Sequence, residues 1–502
     1  MAPSDGNGPP QRAGVTVVVL GASGDLAKRK CFPALGHLTR RGLLPGLALV
    51  GVARSDVGTA GFKSIVEASF AARPASSNPQ HMRRTSSVHR RFEDVLVASE
   101  YVQAKGGSYA EPATGAATAA AIERVEALAE ARQIEELAMG ADTARRGRLF
   151  YLALPSSAFE DALHGLAAAG LLEERDSGWV RVVLEKPFGR DHDDSAQLME
   201  ALAPMVEERQ ICRIDHYLGK EMVQNILIMR FDNAWLEPTL NRHHVANVQI
   251  TLKETLLLEG RAGYFDDYGI VRDVMQNHLL QVLALLAMER PVSAAGDDVR
   301  DEKTKVLRCM RPVEGADAVV AQYEGYRDDV VAAGGRAGST TPTFATMVVY
   351  IDNERWHGVP FIVKAGKALN QSKVEVRVQY KEVARPFHAA DAASMRNELV
   401  LRVQPSLAMY LKIVTKKPGL EVATEMKELD FTVEDRDPGA DITDAYESLI
   451  FEAIRGHMSA FVRGDELLAS WKVVSEFLRQ IDAGELAVHT RRTRGARRRA
   501  TG

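Results

Sequence analysis

The 502-residue chain has room for about two to four domains at the usual domain size. With 46% apolar and 26% charged residues, its composition is that of a globular enzyme rather than a disordered or fibrous chain. A formal net charge of -4 excludes the strongly basic balance that nucleic acid or an anionic membrane surface would call for as partner.

Three cysteines, Cys31, Cys212 and Cys309, lie far apart without metal-ligand spacing, which predicts free thiols in a reducing compartment and no metal site. No run of about 20 apolar residues is present to span a membrane. Residues 1–13 are rich in Gly, Pro, Ser and Asn and lack the apolar core of a secretory signal, so a flexible N-terminus is expected. Residues 490–502 carry Arg491, Arg492, Arg494, Arg497, Arg498 and Arg499 and read as a basic, solvated tail, not a nucleic-acid arm. Nor is the final Ala-Thr-Gly a peroxisomal address. Together these features point to the cytoplasm.

The first predicted strand, 15–20, is almost wholly β-branched, as suits a strand buried on both faces of a parallel sheet. It runs into Gly21-Ala22-Ser23-Gly24-Asp25-Leu26-Ala27, a G-x-x-G-x-x-A variant of the dinucleotide fingerprint, followed by a helical pattern. A second strand, 47–53, ends at Arg54, where an NAD site would carry an acidic residue for the ribose 2′-hydroxyl; a guanidinium suits a 2′-phosphate and so predicts NADP. Lys28 and Arg29 add positive charge nearby. Residues 58–108 show no clear period, with a polar loop expected at 75–88, and 122–137 reads as an amphipathic helix. Strand 148–154 is closed by Pro155, and Ser156 and Ser157 are placed to cap a helix running to about 172. Strand 180–185 delivers Lys186 to its carboxyl end, where parallel sheets bind ligands. Asp193 is expected to cap the next helix, and strand 210–214 closes a Rossmann-type domain over 14–213.

Arg213-Ile-Asp-His-Tyr-Leu-Gly-Lys-Glu221 follows. His216 and Lys220 are spaced i, i+4, so a helix would point both cations at one spot, a clamp for a sugar phosphate. Asp215 would point elsewhere and be free to orient a base. The second domain is assigned to 214–489. Strand 244–254 leads to a Gly- and aromatic-rich loop at 260–269, then to a helix over 270–289 whose apolar stripe includes His278. A lone His on such a stripe is ordinarily a core residue; Arg272, Asp273 and Asn277 beside it favour function. Strands at 344–351, 360–367, 374–380, 397–403, 408–415 and 422–433, joined by short turns, predict an extended antiparallel sheet, closed by helices 444–455 and 466–481. The fold class is therefore α/β plus α+β: an N-terminal doubly wound sheet and a large antiparallel sheet flanked by helices. Its uncovered face suits a homodimer or homotetramer contact.

Five islands in this order, Gly21–Lys28, Glu185-Lys-Pro-Phe-Gly189, Arg213–Glu221, Arg272-Asp-Val-Met-Gln-Asn-His278 and Gly366-Lys-Ala-Leu-Asn370, resemble the glucose-6-phosphate dehydrogenases. The resemblance spans most of the chain, from Gly21 to about Gln480. It implies hydride transfer from the anomeric carbon of glucose 6-phosphate to NADP, the first step of the oxidative pentose phosphate pathway. It makes His278 the general base and Asp215 its orienting carboxylate. It assigns His216, Tyr217 and Lys220 to the sugar phosphate, and Lys186, Glu254, Asp273, Lys367 and Gln404 to further substrate contacts. Gly21, Ala22, Ser23, Gly24, Asp25, Leu26, Lys28, Arg54, Tyr151 and Lys186 fall on the coenzyme site.

Two departures stand out. Ser372 occupies a position where some members carry an Arg for the substrate. Lys364, Lys373, Arg377 and Arg402 match a second, structural NADP site of some members, but the short Arg-rich tail argues against a tightly held second nucleotide. Two other readings compete: a Rossmann oxidoreductase of an unphosphorylated sugar, which leaves the His216 and Lys220 charges unpaired, and a catalytically silent NADPH sensor, which has no need of His278 opposite Asp215.

Overall fold

The structure, a computed structural model, describes residues 14–44, 46–71, 93–137, 146–174, 178–258, 262–384, 396–433 and 442–492. The expected flexible N-terminus, the polar loop at 75–88 and the tail beyond 492 lie outside the described residues.

Six strands form the first sheet: β1 (Val15–Leu20), β2 (Ala48–Ala53), β3 (Ser99–Gln103), β4 (Gly147–Leu152), β5 (Val180–Leu184) and β6 (Ile211–Arg213). Their order is β3-β2-β1-β4-β5-β6 and every pair is parallel. β1 and β2 are buried at all positions, because helices cover both faces of such a sheet. Strand order reverses between β1 and β4, and the crevice beyond their carboxyl ends is where a doubly wound sheet binds its ligand. β3 is a five-residue edge strand that the sequence pattern did not define. Local capping also differs from expectation. Asp191, not Asp193, caps helix His192–Leu202 by accepting from the Asp194 N–H. Ser156 and Ser157 lie in a short 3₁₀ turn and cap nothing; the helix proper is Phe159–Ala168.

Nine strands form the second sheet: β7 (Val245–Lys253), β8 (Ala318–Tyr323), β9 (Phe344–Val349), β10 (Phe361–Gly366), β11 (Lys373–Tyr380), β12 (Glu398–Gln404), β13 (Ala408–Lys416), β14 (Thr424–Thr432) and β15 (Val488–Arg491). The expected antiparallel sheet is in fact mixed. β10 runs parallel to β7, and β15 parallel to β8. Parallel neighbours require a long crossover, and the helices between β7 and β10 supply one. β15 also moves the expected tail boundary: Thr490 and Arg491 are sheet residues paired with Gln322 and Tyr323. The segment expected as a loop at 260–269 is, over its described part, the helix Ala262–Ile270.

The predicted helix over 270–289 forms in two parts. Val271–Leu279 is π-helical and Leu280–Ala287 is α-helical, the latter buried at every position. Helices Ala445–Arg455 and Gly464–Asp482 match expectation, with Asp444 capping the first by accepting from Tyr446 N–H. Helix Ala445–Arg455 packs on the first sheet's side, where Arg181 Nη1 donates to the Ala453 and Ile454 carbonyls at 2.9 and 2.8 Å. Leu449, Ile450 and Ala453 join one apolar cluster with Val17, Val19, Phe32 and Val183, so the two halves share a core.

Arg230 anchors the centre of the second half. It is fully buried, donates to the Leu285 and Met288 carbonyls at 2.8 and 2.7 Å, and pairs with Glu237 at 3.1 Å. Breaking one side of a buried charge network is costly because its partners stay buried. Arg230→Met is expected to lower stability by about 3–5 kcal/mol, measured by urea unfolding; a change below about 1 kcal/mol would show that the network contributes little.

Candidate active site

β6 ends at Arg213 and the chain enters consecutive turns, with Leu218, Gly219 and Lys220 N–H groups donating to the Asp215, His216 and Tyr217 carbonyls. Helix Glu221–Phe231 starts only after Lys220, which is its N-cap. The convergence expected of His216 and Lys220 therefore does not rest on helical i, i+4 spacing; the turns produce it. Gly219 lets helix Ala445–Arg455 approach these turns, since a Cβ there would run into the Ala445 carbonyl oxygen.

Facing these turns is the π-helical segment. His278 donates its backbone N–H to Asn277 Oδ1 at 2.7 Å, and Asn277 Nδ2 donates to the Arg272 carbonyl at 3.1 Å. Wide turns of this kind recur at functional sites because they re-aim side chains. Here His278 is buried with its Nδ1 2.5 Å from Asp215 Oδ1. Asp215 Oδ1 also accepts the Tyr217 N–H at 2.9 Å. The carboxylate fixes the tautomer: Nδ1 carries the proton and Nε2 the lone pair. Lys186 Nζ lies 3.0 Å from Nε2, donates to the Asp273 carbonyl at 2.8 Å, and sits 3.6 Å from Asp273 Oδ1. The Tyr217 ring stacks on His278 with centroids 4.3 Å apart, and His216 meets His278 edge-on at 4.3 Å. Lys220 Nζ stands 4.7 Å from the Tyr217 ring centroid.

Parallel pairing of β7 and β10 places Glu254 and Lys367 side by side just past the strand ends, joined at 2.6 Å. Ser372, at the position of the expected Arg, bonds Thr255 Oγ1 at 3.0 Å. Gln404 ends β12 at the same rim of the sheet, opposite Val374, and is exposed; the structure does not bring it into hydrogen-bond contact with the cluster.

At the first sheet, Gly21 adopts φ +82° and donates its N–H to the Val52 carbonyl at 2.7 Å. A Cβ there would collide with the Ala153 carbonyl oxygen, so only glycine carries the backbone across the strand ends. Ser23 and Ser55 hydroxyls bond at 2.6 Å and stitch this loop to the end of β2, beside exposed Arg54. Ala22 is buried, Lys28 half-buried, and Asp25 pairs with Arg29 at 3.7 Å. Tyr151 does not line the open crevice. It is fully buried, and its hydroxyl donates to Glu185 beneath the strand ends. Two tyrosines that the sequence reading missed stand at the loop: Tyr109 lies beside Gly21 and Arg54, and the Tyr101 hydroxyl donates to the Ser55 carbonyl.

Two family models account for nearly the whole chain: the NAD binding domain of glucose-6-phosphate dehydrogenase over residues 18–225, and the C-terminal domain of the same enzyme over 227–501. The chain belongs to the glucose-6-phosphate dehydrogenase family. The cytoplasmic isoform of glucose-6-phosphate 1-dehydrogenase from Solanum tuberosum is 43% identical over 484 residues, 96% of this chain and 89% of its own. The Dictyostelium discoideum glucose-6-phosphate 1-dehydrogenase is 42% identical, covering 94% of this chain and 90% of its own. A solved glucose-6-phosphate dehydrogenase in complex with glucose 6-phosphate superposes with a TM-score of 0.84 and 39% identity, covering 97% of this chain and 96% of its own.

A histidine can serve as a base only while its imidazole is neutral at working pH. Burial pushes His278 well below the ordinary imidazole range, and the Lys186 and Lys220 ammonium groups push it further down. His216 is lowered for the same reasons, burial first and His278 second. Burial raises Asp215, opposed by His216 and the Tyr217 N–H. Asp215, His216 and His278 place ligand-type atoms within 4.8 Å of one another. That set suits a cation poorly: Asp215 Oδ1 is committed to His278 Nδ1, and the Lys186 ammonium faces Nε2.

Burial also lowers Lys220, to about 8, with Lys30 adding to the effect and Asp444 opposing it. A depressed lysine keeps its charge below its pKa and loses it as pH rises. The KM for glucose 6-phosphate is therefore expected to climb as pH passes about 8, and to stay flat there in Lys220→Arg, whose guanidinium stays charged. Identical KM–pH profiles for the two proteins would remove Lys220 from the phosphate contact.

Proposed function

We propose that the chain oxidises the anomeric carbon of glucose 6-phosphate with NADP in the cytoplasm, yielding the 6-phospholactone and NADPH. The observation that carries this reading is the buried pair of Asp215 and His278 at 2.5 Å, with the Nε2 of a neutral imidazole turned toward Lys186. Nε2 takes the proton of the anomeric hydroxyl as its oxygen becomes the lactone carbonyl. The ionised Asp215 holds Nδ1–H and stabilises the imidazolium that forms, the orienting role a carboxylate plays beside a histidine base. Lys186 moves its ammonium contact from Nε2 to the sugar as the hydroxyl arrives. Lys220 and His216 hold the phosphate, while Glu254, Asp273 and Lys367 take sugar hydroxyls.

NADP, when bound, accepts the hydride. The loop from Gly21 to Lys28 fits its pyrophosphate, because Gly21 at φ +82° turns the chain off the end of β1 into a helix N-terminus, where backbone N–H groups favour an anion. Exposed Arg54 suits the 2′-phosphate, with Tyr109 beside it. Of the cations matched to a second nucleotide, Lys373 and Arg377 both pair with Glu375, at 2.7 and 3.0 Å, and Arg402 donates to the Ser406 carbonyl. These internal partners favour one coenzyme per chain. Curated relatives from Solanum tuberosum and Arabidopsis thaliana are named cytoplasmic, which supports that location. Leu429 and Phe431 of β14 stand 57% and 48% exposed beside Leu411 and Met409 of β13, extending the sheet's apolar face past its helical cover. That stripe supports pairing of two copies through the second sheet. No helix among the described residues is long and apolar enough to cross a membrane.

His278→Asn is expected to lower kcat by about 10²–10⁴-fold while NADP binding, followed by fluorescence titration, is kept; an unchanged kcat would remove His278 as the base. Arg54→Asp is expected to lower kcat/KM for NADP by about tenfold or more, the effect of about 1.4 kcal/mol, with NAD losing far less. Equal losses with both coenzymes would place Arg54 away from the 2′-phosphate.

A further inference from the structure

Behind the catalytic pair lies a cavity of about 30 Å³, lined by Pro187, Ile214, Asp215, Gln276, Gln281 and Trp471 among others. Most of its lining is apolar, yet Asp215, Gln276, Gln281 and Ser470 on it are buried polar side chains. Gln276 Nε2 donates to Ser470 Oγ at 2.8 Å. Gln281 Oε1 accepts from Lys303 at 3.3 Å, and Lys303 pairs with Glu466 at 3.0 Å with both side chains fully buried. Two atoms of the wall stand out. Asp215 Oδ2 and Trp471 Nε1 are both buried without a hydrogen-bond partner among the described residues. Asp215 concentrates both of its contacts on the other oxygen, from His278 and the Tyr217 N–H. Leaving a charged oxygen and an indole N–H unbonded in a dry interior costs free energy at each atom. One is an acceptor and the other a donor, on the same cavity, whose volume exceeds the roughly 10–15 Å³ that one water requires.

We propose that this cavity is a water site, and that Trp471 is a positioning residue for the reaction: one ordered water accepts from Trp471 Nε1–H and donates to Asp215 Oδ2. The inference rests on the reading of Asp215 and His278 as orienting carboxylate and base, and adds to it the support of the carboxylate from behind. With both oxygens bonded, the carboxylate plane cannot swing away from Nδ1, and its negative charge is spread away from the imidazole. The charged and titratable groups that face Asp215 are His216, Tyr217, His278, Lys186, Lys220 and Lys303. None of them replaces a bond to Oδ2, and Lys303 is already held by Glu466 and Gln281. Loss of the water bridge makes the pair take up a proton more readily, so base catalysis switches off at a higher pH.

The test uses the full chain with Trp471→Phe, which keeps an aromatic ring in place and removes the N–H together with part of the indole's volume. The acid limb of kcat/KM is expected to move up by about one pH unit, the usual scale for a hydrogen bond to a charged group, with KM for NADP unchanged. A merely structural role for the indole would alter thermal stability without moving that limb. An acid limb left in place in a folded Trp471→Phe enzyme overturns the proposal. The unmodified enzyme supplies a second measurement that does not depend on the variant folding: a high-resolution crystal structure should show water density within hydrogen-bond distance of both Oδ2 and Nε1. A dry cavity, or another group on either atom, overturns it as well. If His278 were not the base, His278→Asn would keep its turnover; failure of the water site alone leaves that loss intact.

Discussion

Asp215 and His278 are 63 residues apart and meet across 2.5 Å in an interior almost closed to solvent. Each is brought there by an unusual piece of backbone. Tight turns after a three-residue strand carry the carboxylate, and a π-helical segment carries the imidazole. The first sheet ends at one partner, and the helical crossover of the second sheet delivers the other. In the proposed reaction, proton transfer depends on that single contact lying at the seam of the two halves. The seam is fixed independently by the apolar cluster that helix Ala445–Arg455 shares with β1 and β5. The reacting geometry is thus set by a core rather than by loops.

The surroundings set the proton's position as firmly as the distance does. Burial alone pushes an imidazole toward neutrality, and two ammonium groups, Lys186 and Lys220, add to the push. A carboxylate alone would do the opposite. The balance leaves an imidazole that is uncharged and held in one orientation, as the proposed base requires, so that little reorganisation would remain for the chemical step. Keeping polar and charged groups such as Lys303, Glu466, Gln276 and Gln281 buried nearby is costly for a core. Their placement around the back of Asp215 gives that cost a functional reading.

Much of this was legible in the sequence where local chemistry dictates the outcome. The β-branched run at 15–20, the glycine loop and Arg54 at the end of β2 follow from residue type and order, and the partnership of His278 with Asp215 from the family resemblance. Other features were not, for identifiable reasons. His216 and Lys220 do converge with the site, but through turns, because the helix begins only at Glu221. Nine residues are too few to tell a π from an α period, so the backbone that aims His278 was hidden. Parallel pairing of β7 with β10 depends on the crossover and not on the strands themselves, so the second sheet looked purely antiparallel. β15 sits in an Arg-rich stretch whose charge masked four residues of pairing. Tyr109 lies beside the glycine loop just past a region without period, and Tyr151, assigned to the coenzyme, is buried with its hydroxyl on Glu185.

The central claim is that His278 rests as a neutral imidazole whose Nδ1 proton is held by Asp215. Nitrogen-15 NMR of the histidine-labelled enzyme, titrated across the range in which an ordinary histidine changes charge, reads this directly. The account predicts one ring that keeps the Nδ1–H, unprotonated Nε2 pattern well below the ordinary imidazole pKa, and that disappears in His278→Asn. A His278 ring that carries its proton on Nε2, or that becomes imidazolium near the ordinary value, would contradict it.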